Sequence, residues 1–208
     1  MTIEIANDLF GYFELLYDTN RNLIMCCGLN IGDNYGIYER LLQTIILNIP
    51  RMIPYAYCWK KDIYTIDSKD GLMEFSDQLP YLSDDYNRIL HDNYDFLLDV
   101  KKIRNKLEHK VHGVSLSSSG RSTLSLFDMT YRIDEEEITL YAGQFIKCIK
   151  QLNILYTKLQ NEVETFAYQN GKNNYAYYRR MTKYNFSNFN EIYDCPIVRK
   201  IGQALFPF

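Results

Sequence analysis

Between Lys101 and His112 the chain gathers the residue types that chemistry needs. The run Arg104-Asn105-Lys106-Leu107-Glu108-His109, followed by Lys110 and His112, holds two of the three histidines. Five cations (Lys101, Lys102, Arg104, Lys106, Lys110) stand there against one acid, Glu108, a local balance of about +4. The whole chain, by contrast, carries a net charge of −3. A histidine whose ordinary pKa lies near ~6.5 can take a proton from a ribose 2′-hydroxyl or return one to a leaving 5′-oxygen. An arginine's planar fork can hold a phosphate and stabilise charge on its oxygens, and an asparagine can orient an imidazole or a phosphate oxygen. Such a set suits RNA cleavage without a metal or other cofactor.

A helix must position these groups. On it Asn105 and His109 are four apart and share a face, while Arg104 lies about 100° from Asn105 and about 140° from His109. Arg104 instead continues the series Leu97, Val100, Leu107 at the edge of the apolar stripe, where an arginine is costly unless it meets a partner or a phosphate. Pairing this helix with a symmetry mate would bring Arg104 of one chain toward His109 of the other. The plainer alternative is a helix ion pair, Arg104 with Glu108, one turn apart.

At 208 residues, with 47% hydrophobic and 24% charged, the chain has ordinary globular composition and the length for one well-buried domain. Any nucleic-acid contact must therefore use local basic patches. The five cysteines (Cys26, Cys27, Cys58, Cys148, Cys195) form no C-x-x-C or Cys/His ligand spacing, so no metal site is expected. No basic leader precedes an apolar stretch, and no run approaches the ~18 apolar residues of a membrane span. The expectation is a reduced, cytoplasmic protein without membrane contact. No P-loop, G-x-S-x-G or H-E-x-x-H occurs.

Along the chain, Ile3, Ile5, Leu9, Phe10, Phe13, Leu16 and Tyr17 suggest a first helix that stops near Asp18-Thr19-Asn20. A second follows from Asp33, with Tyr38, Leu41, Leu42, Ile45, Ile46 and Ile49 on one stripe, and Asn48 to Pro50 should end or kink it. Pro50 and Pro54 bracket a turn leading to Tyr55, Tyr57 and Trp59, which read as core aromatics. The acidic residues of 62–99 read as a solvated face. Ser83-Asp84-Asp85 should cap a helix whose stripe (Tyr86, Ile89 or Leu90, Leu97, Val100, Ile103, Leu107) runs into the Arg104 to His109 segment.

The strict alternation from Phe127 to Ile133 is a strand, with Ser117 to Gly120 and Asp134 to Glu137 read as turns, and Val114-Ser115-Leu116 and Ile138-Thr139-Leu140 as its antiparallel partners. Phe145, Ile149, Leu152, Tyr156, Leu159, Val163 and Phe166 mark a helix of about six turns whose stripe is a core or a dimer seam. Beyond Gly171, Lys172, Arg179, Arg180 and Lys183 interleave with Tyr175, Tyr177, Tyr178, Tyr184 and Phe186. Cations beside aromatics suit single-stranded nucleic acid, and an aromatic tail folded over the domain is the plainer reading. The expected architecture is mainly α, a helical bundle with a small antiparallel β insertion around residues 113–141. One domain would cover 1–170, with a basic, Tyr/Asn-rich extension, 171–208, packed on it.

Arg104-Asn105-x-x-x-His109 at the end of a long helix resembles the Arg-x(4-6)-His signature of the HEPN superfamily, in its Arg-Asn form. With ten arginines and three histidines, the Arg-Asn-x-x-x-His form is expected by chance only about 0.01 times, so the asparagine carries most of the weight. The resemblance implies a helical bundle, usually dimeric, in which two motifs meet at the interface. Many members are metal-independent endoribonucleases of toxin or antiviral systems that leave 2′,3′-cyclic phosphate ends. Others cleave nothing and bind RNA, a nucleotide, or an antitoxin or nucleotidyltransferase-like partner. Carried over, Arg104 would bind the phosphate, Asn105 would be its polar companion and His109 the catalytic histidine. Lys101, Lys102, Lys106, Lys110, His112, Arg179 and Arg180 are the candidate RNA-binding residues.

Overall fold

The computed structural model describes residues 3–29, 31–52, 84–85, 88–89, 91–108, 115–121, 127–133, 136–170, 185–195 and 200. Within them lie helices α1 (Ile3–Gly28), α2 (Ile31–Met52), α3 (Tyr94–Glu108), α4 (Ala142–Gln169) and α5 (Phe186–Asp194). Strands β1 (Ser115–Arg121), β2 (Phe127–Ile133) and β3 (Glu136–Leu140) form an antiparallel sheet in the order β1-β2-β3. The protein is thus mainly helical, with a small β insertion between α3 and α4. None of the described helices is long and apolar enough to cross a membrane. Tyr55, Tyr57, Trp59, Cys58, Ser83, Tyr86, Leu90, Tyr175, Tyr177, Tyr178 and Tyr184 lie outside the described residues.

The first helix does not stop at Asp18-Thr19-Asn20 but continues to Gly28. Thr19 and Asn20 are turn formers only when their side chains compete for the backbone, and here both are satisfied without breaking the helix. Thr19 Oγ1 donates to the Leu15 carbonyl at 2.7 Å and accepts from Asn48 of α2 at 3.3 Å. Asn20 falls on the same stripe as Leu9, Phe13, Leu16, Leu23 and Cys27, all buried. Its amide donates to the Leu16 carbonyl at 2.8 Å and exchanges two hydrogen bonds with Asn153 of α4, at 2.7 and 2.9 Å. Asn153 also donates to Asn190 of α5 at 2.8 Å, and the Tyr193 hydroxyl donates to Asn20 Oδ1 at 3.0 Å. Buried amides are tolerated when every donor and acceptor is matched, and this network fixes three helices in one register.

Pro50 lies inside α2, which continues past it to Met52. So near the end the missing N–H and the ring disturb only the final turn. The Tyr156 hydroxyl donates to the Met52 carbonyl at 2.7 Å, satisfying one of the orphan acceptors there.

The stripe of α4 is core rather than a dimer seam. Phe145, Ile149, Leu152, Tyr156, Leu159 and Val163 are all buried within the single chain. Tyr156 meets Phe13 of α1 and Phe186 of α5 with ring centroids 5.9 and 6.2 Å apart, and Phe145 meets Phe96 of α3 edge-on at 5.0 Å. That stripe therefore lends no support to a dimer.

The helix leading into the motif is not continuous from Asp84. Asp84, Asp85, Arg88, Ile89, His91 and Asp92 are helical, Asn93 is in a turn, and α3 starts at Tyr94. Asn93 is buried, and its amide donates to the Ile89 carbonyl at 2.7 Å and to Gln151 of α4 at 2.6 Å. Its carbonyl still accepts from the Leu97 N–H at 2.8 Å. Nor are the acids before α3 uniformly solvated. Asp85 is buried and holds Arg88 at 2.6 Å and Lys158 of α4 at 2.5 Å.

In the sheet, Met129, Tyr131 and Ile133 of β2 and Ile138 and Leu140 of β3 are buried, while Arg132, Glu136 and Glu137 are exposed, as a one-sided sheet requires. Tyr131 pairs with Ile138 and Met129 with Leu140. Ser117 to Gly120 form part of β1 rather than a turn, with the register shifting between Ser118 and Gly120. Their small residues make a bulge instead of a reversal. Glu136 and Glu137, read as part of a turn, already pair with β2 as the start of β3. Asp128 accepts from the Ala142 N–H at 2.9 Å, tying β2 to the first turn of α4.

Candidate functional site

Helix α3 buries Phe96, Leu97, Val100 and Ile103, and Arg104 sits one turn beyond Val100 at the margin of that face. The arginine stem follows the apolar edge, leaving 18% of the side chain exposed. Its Nε is buried with no hydrogen-bond partner, whereas its Nη2 contacts both oxygens of Glu108, at 2.8 and 3.0 Å. The ion pair anticipated from the spacing therefore forms. Asn105, the next residue, is exposed, as the helical turn of about 100° per residue demands.

A third group joins this pair from another helix. Arg51, in the last turn of α2, places its Nη2 3.3 Å from Glu108 Oε1. Arg51 of α2 and Arg104 of α3 therefore meet at this carboxylate. Glu108 is held there by the two guanidiniums. Spacing along the chain could not reveal Arg51, because 57 residues separate it from Glu108. The available signal was only a basic residue in the last turn of an amphipathic helix.

The lysines divide. Lys101 is half-buried, and desolvation, helped by the nearby Arg104 charge, pushes its amine below the ordinary lysine range. Lys102 faces the sheet instead, donating to Glu136 of β3 at 2.9 Å, and this hydrogen bond raises its pKa. Lys106 is half-buried in the last turn of α3. His109, Lys110, His112, Arg179 and Arg180 lie outside the described residues. The third histidine, His91, precedes the start of α3, so the helix separates it from Arg104 by roughly 15 Å. It is exposed, 3.5 Å from Asp92, and lines an open cavity of about 170 Å³ with Tyr94, Gln144 and Lys147.

Cys26, Cys27 and Cys148 are buried free thiols, and Cys195 is half-buried and free. Burial pushes the Cys27 and Cys148 thiols up to about 12, and Cys26 higher than its ordinary range by the same cause. Such thiols are poor nucleophiles and poor metal ligands. Among the described residues no group of three or more His, Cys, Asp or Glu is set to hold a metal ion.

What the described arrangement can do chemically is bind an anion. Two arginines, Arg51 and Arg104, share a single carboxylate, and Lys101 lies close enough to Arg104 to feel its charge. No protein-family model, curated protein or solved structure matches the chain.

Proposed function

We propose that this protein is a HEPN-type, metal-independent endoribonuclease, cleaving RNA by attack of the 2′-hydroxyl on the adjacent phosphate to leave a 2′,3′-cyclic phosphate. The observation that carries the reading is the last turn of α3. Arg104 and Asn105 are consecutive there, Arg104 shares Glu108 with Arg51, and His109 follows Glu108 in the sequence. In this scheme Arg104 holds the scissile phosphate and Asn105 orients the imidazole or a phosphate oxygen. His109 moves the proton between the 2′-hydroxyl and the leaving 5′-oxygen. Lys101, Lys106, Lys110, His112, Arg179 and Arg180 supply attraction for the RNA backbone. A homodimer that apposes two such helices belongs to the same proposal, in keeping with the different directions in which Arg104 and Asn105 leave the helix.

A second reading is favoured by one specific contact. Arg104 is already engaged by Glu108, which suits a HEPN-like module that binds RNA, a nucleotide or an antitoxin-like partner without cutting. Incubating purified protein with single-stranded RNA in EDTA separates the two. Cleavage that disappears in His109→Ala and Arg104→Ala supports the ribonuclease. Salt-sensitive binding without cleavage supports the module, and cleavage retained by both variants removes the motif from the mechanism.

A further inference from the structure

We infer that Arg51 and Arg104 form a two-arginine phosphate clamp, and that Glu108 is its resting occupant, displaced when a phosphate of single-stranded RNA enters. The inference rests on the proposal that this helix end handles RNA, and it assigns two residues that the motif leaves without a role.

Glu108 lies one turn beyond Arg104 on α3. It is kept there by Arg104 at 2.8 Å and Arg51 at 3.3 Å, the latter reaching across from α2. Both contacts use a single terminal nitrogen, Nη2, so neither guanidinium presents its full fork, and Arg104 Nε is left with no acceptor at all. A side-on bidentate pair would use Nε and Nη together, the geometry that phosphate oxygens match well. The resting pair is thus incomplete on the arginine side. Glu108 is 28% exposed and Arg51 50% exposed, so the contact opens to solvent without disturbing the core. The two non-bridging oxygens of a phosphodiester, spread on a tetrahedral phosphorus, can each take one guanidinium once Glu108 swings away. Arg51 is then a phosphate-binding residue contributed by α2, and Glu108 a competing anion that raises the threshold for binding.

The test measures binding of a short single-stranded oligonucleotide with 2′-O-methyl groups, which cannot be cut, by fluorescence anisotropy across a salt series. Glu108→Gln, which keeps the shape but removes the charge, is expected to bind about two- to fivefold tighter than wild type. Arg51→Ala is expected to bind more weakly, to flatten the salt dependence by about 0.7 in slope, the value for one phosphate contact on a single strand, and to cancel the gain of Glu108→Gln in the double variant. Unchanged or weaker binding by Glu108→Gln, or a gain that Arg51→Ala leaves intact, overturns the clamp. Thermal melting of each variant shows that the fold is kept. Because the probe cannot react, the clamp stands or falls independently of cleavage. Absence of cleavage with the clamp intact removes the ribonuclease alone, and cleavage with a failed binding series removes the clamp alone.

Discussion

Arg104 and Glu108, one turn apart on α3, are joined at 2.8 Å while 18% of the arginine side chain and 28% of the glutamate side chain remain exposed. The arginine is therefore both a packed residue and a charge. Under the proposed mechanism, Arg104→Ala should remove phosphate stabilisation and lower RNA cleavage by about 10²- to 10³-fold, the scale for losing one preorganised donor. It should also cost about 1 kcal/mol of stability, because the buried stem is lost and Glu108 keeps only Arg51. Arg104→Lys restores the charge but not the fork. Restored melting with cleavage still depressed is the expected signature, read by calorimetry and single-turnover assays together.

Asn105 and His109 should separate from Arg104 in their stability effects. Asn105 is exposed, so Asn105→Ala should leave the melting temperature unchanged while reducing cleavage. His109→Ala should reduce cleavage by about 10²- to 10⁴-fold, the range for losing a general acid or base. A His109→Ala enzyme with wild-type turnover would exclude proton transfer by this residue.

Much of the fold was legible because periodic burial decides it. The stripes of α2 and α4 and the alternation in β2 were readable, since each buries one face and nothing competes with that pattern. The failures share a physical origin. Thr19, Asn20 and Asn93 have the composition of turn residues, and whether they break a helix depends on remote partners. Asn153 keeps Asn20 inside a continuous α1, while Gln151 fixes Asn93 at a break before α3. At the site, Arg104 at the stripe edge and its pairing with Glu108 followed from helical spacing alone. Arg51 did not, because α2 must first be packed beside α3 before the two helices share a carboxylate.

The buried amide pair offers a stability prediction. Asn153→Ala leaves Asn20 without its reciprocal partner and Asn190 without a donor. Because Asn20 keeps the Leu16 carbonyl and the Tyr193 hydroxyl, the loss should total about 1–3 kcal/mol. For a domain of this size, each kcal/mol corresponds to a drop in melting temperature of about 2–4 °C. In a double-mutant cycle with Asn20→Ala, the two losses should fall short of additivity, by about 0.5–3 kcal/mol. Strict additivity in urea titrations would mean that the two amides do not act as a unit.

The buried thiols set an upper pH limit on stability. Cys27 and Cys148 titrate near about 12 in the folded chain because burial disfavours the thiolate. In an unfolded chain a cysteine titrates near ~8.5. A group whose folded pKa is raised binds more protons folded than unfolded as pH climbs through this interval, so stability falls with rising pH. The contribution is complete below about pH 8.5 and declines progressively from there toward 12. Urea midpoints between pH 7 and 10 should therefore decrease, and a Cys148→Ala variant should decrease less steeply. In a Cys58→Ser, Cys195→Ser background the remaining thiols should resist an aromatic disulfide reagent at pH 8 until denaturant is added. Rapid labelling of the native protein would show that Cys26, Cys27 and Cys148 are open to solvent and that burial does not set their acidity.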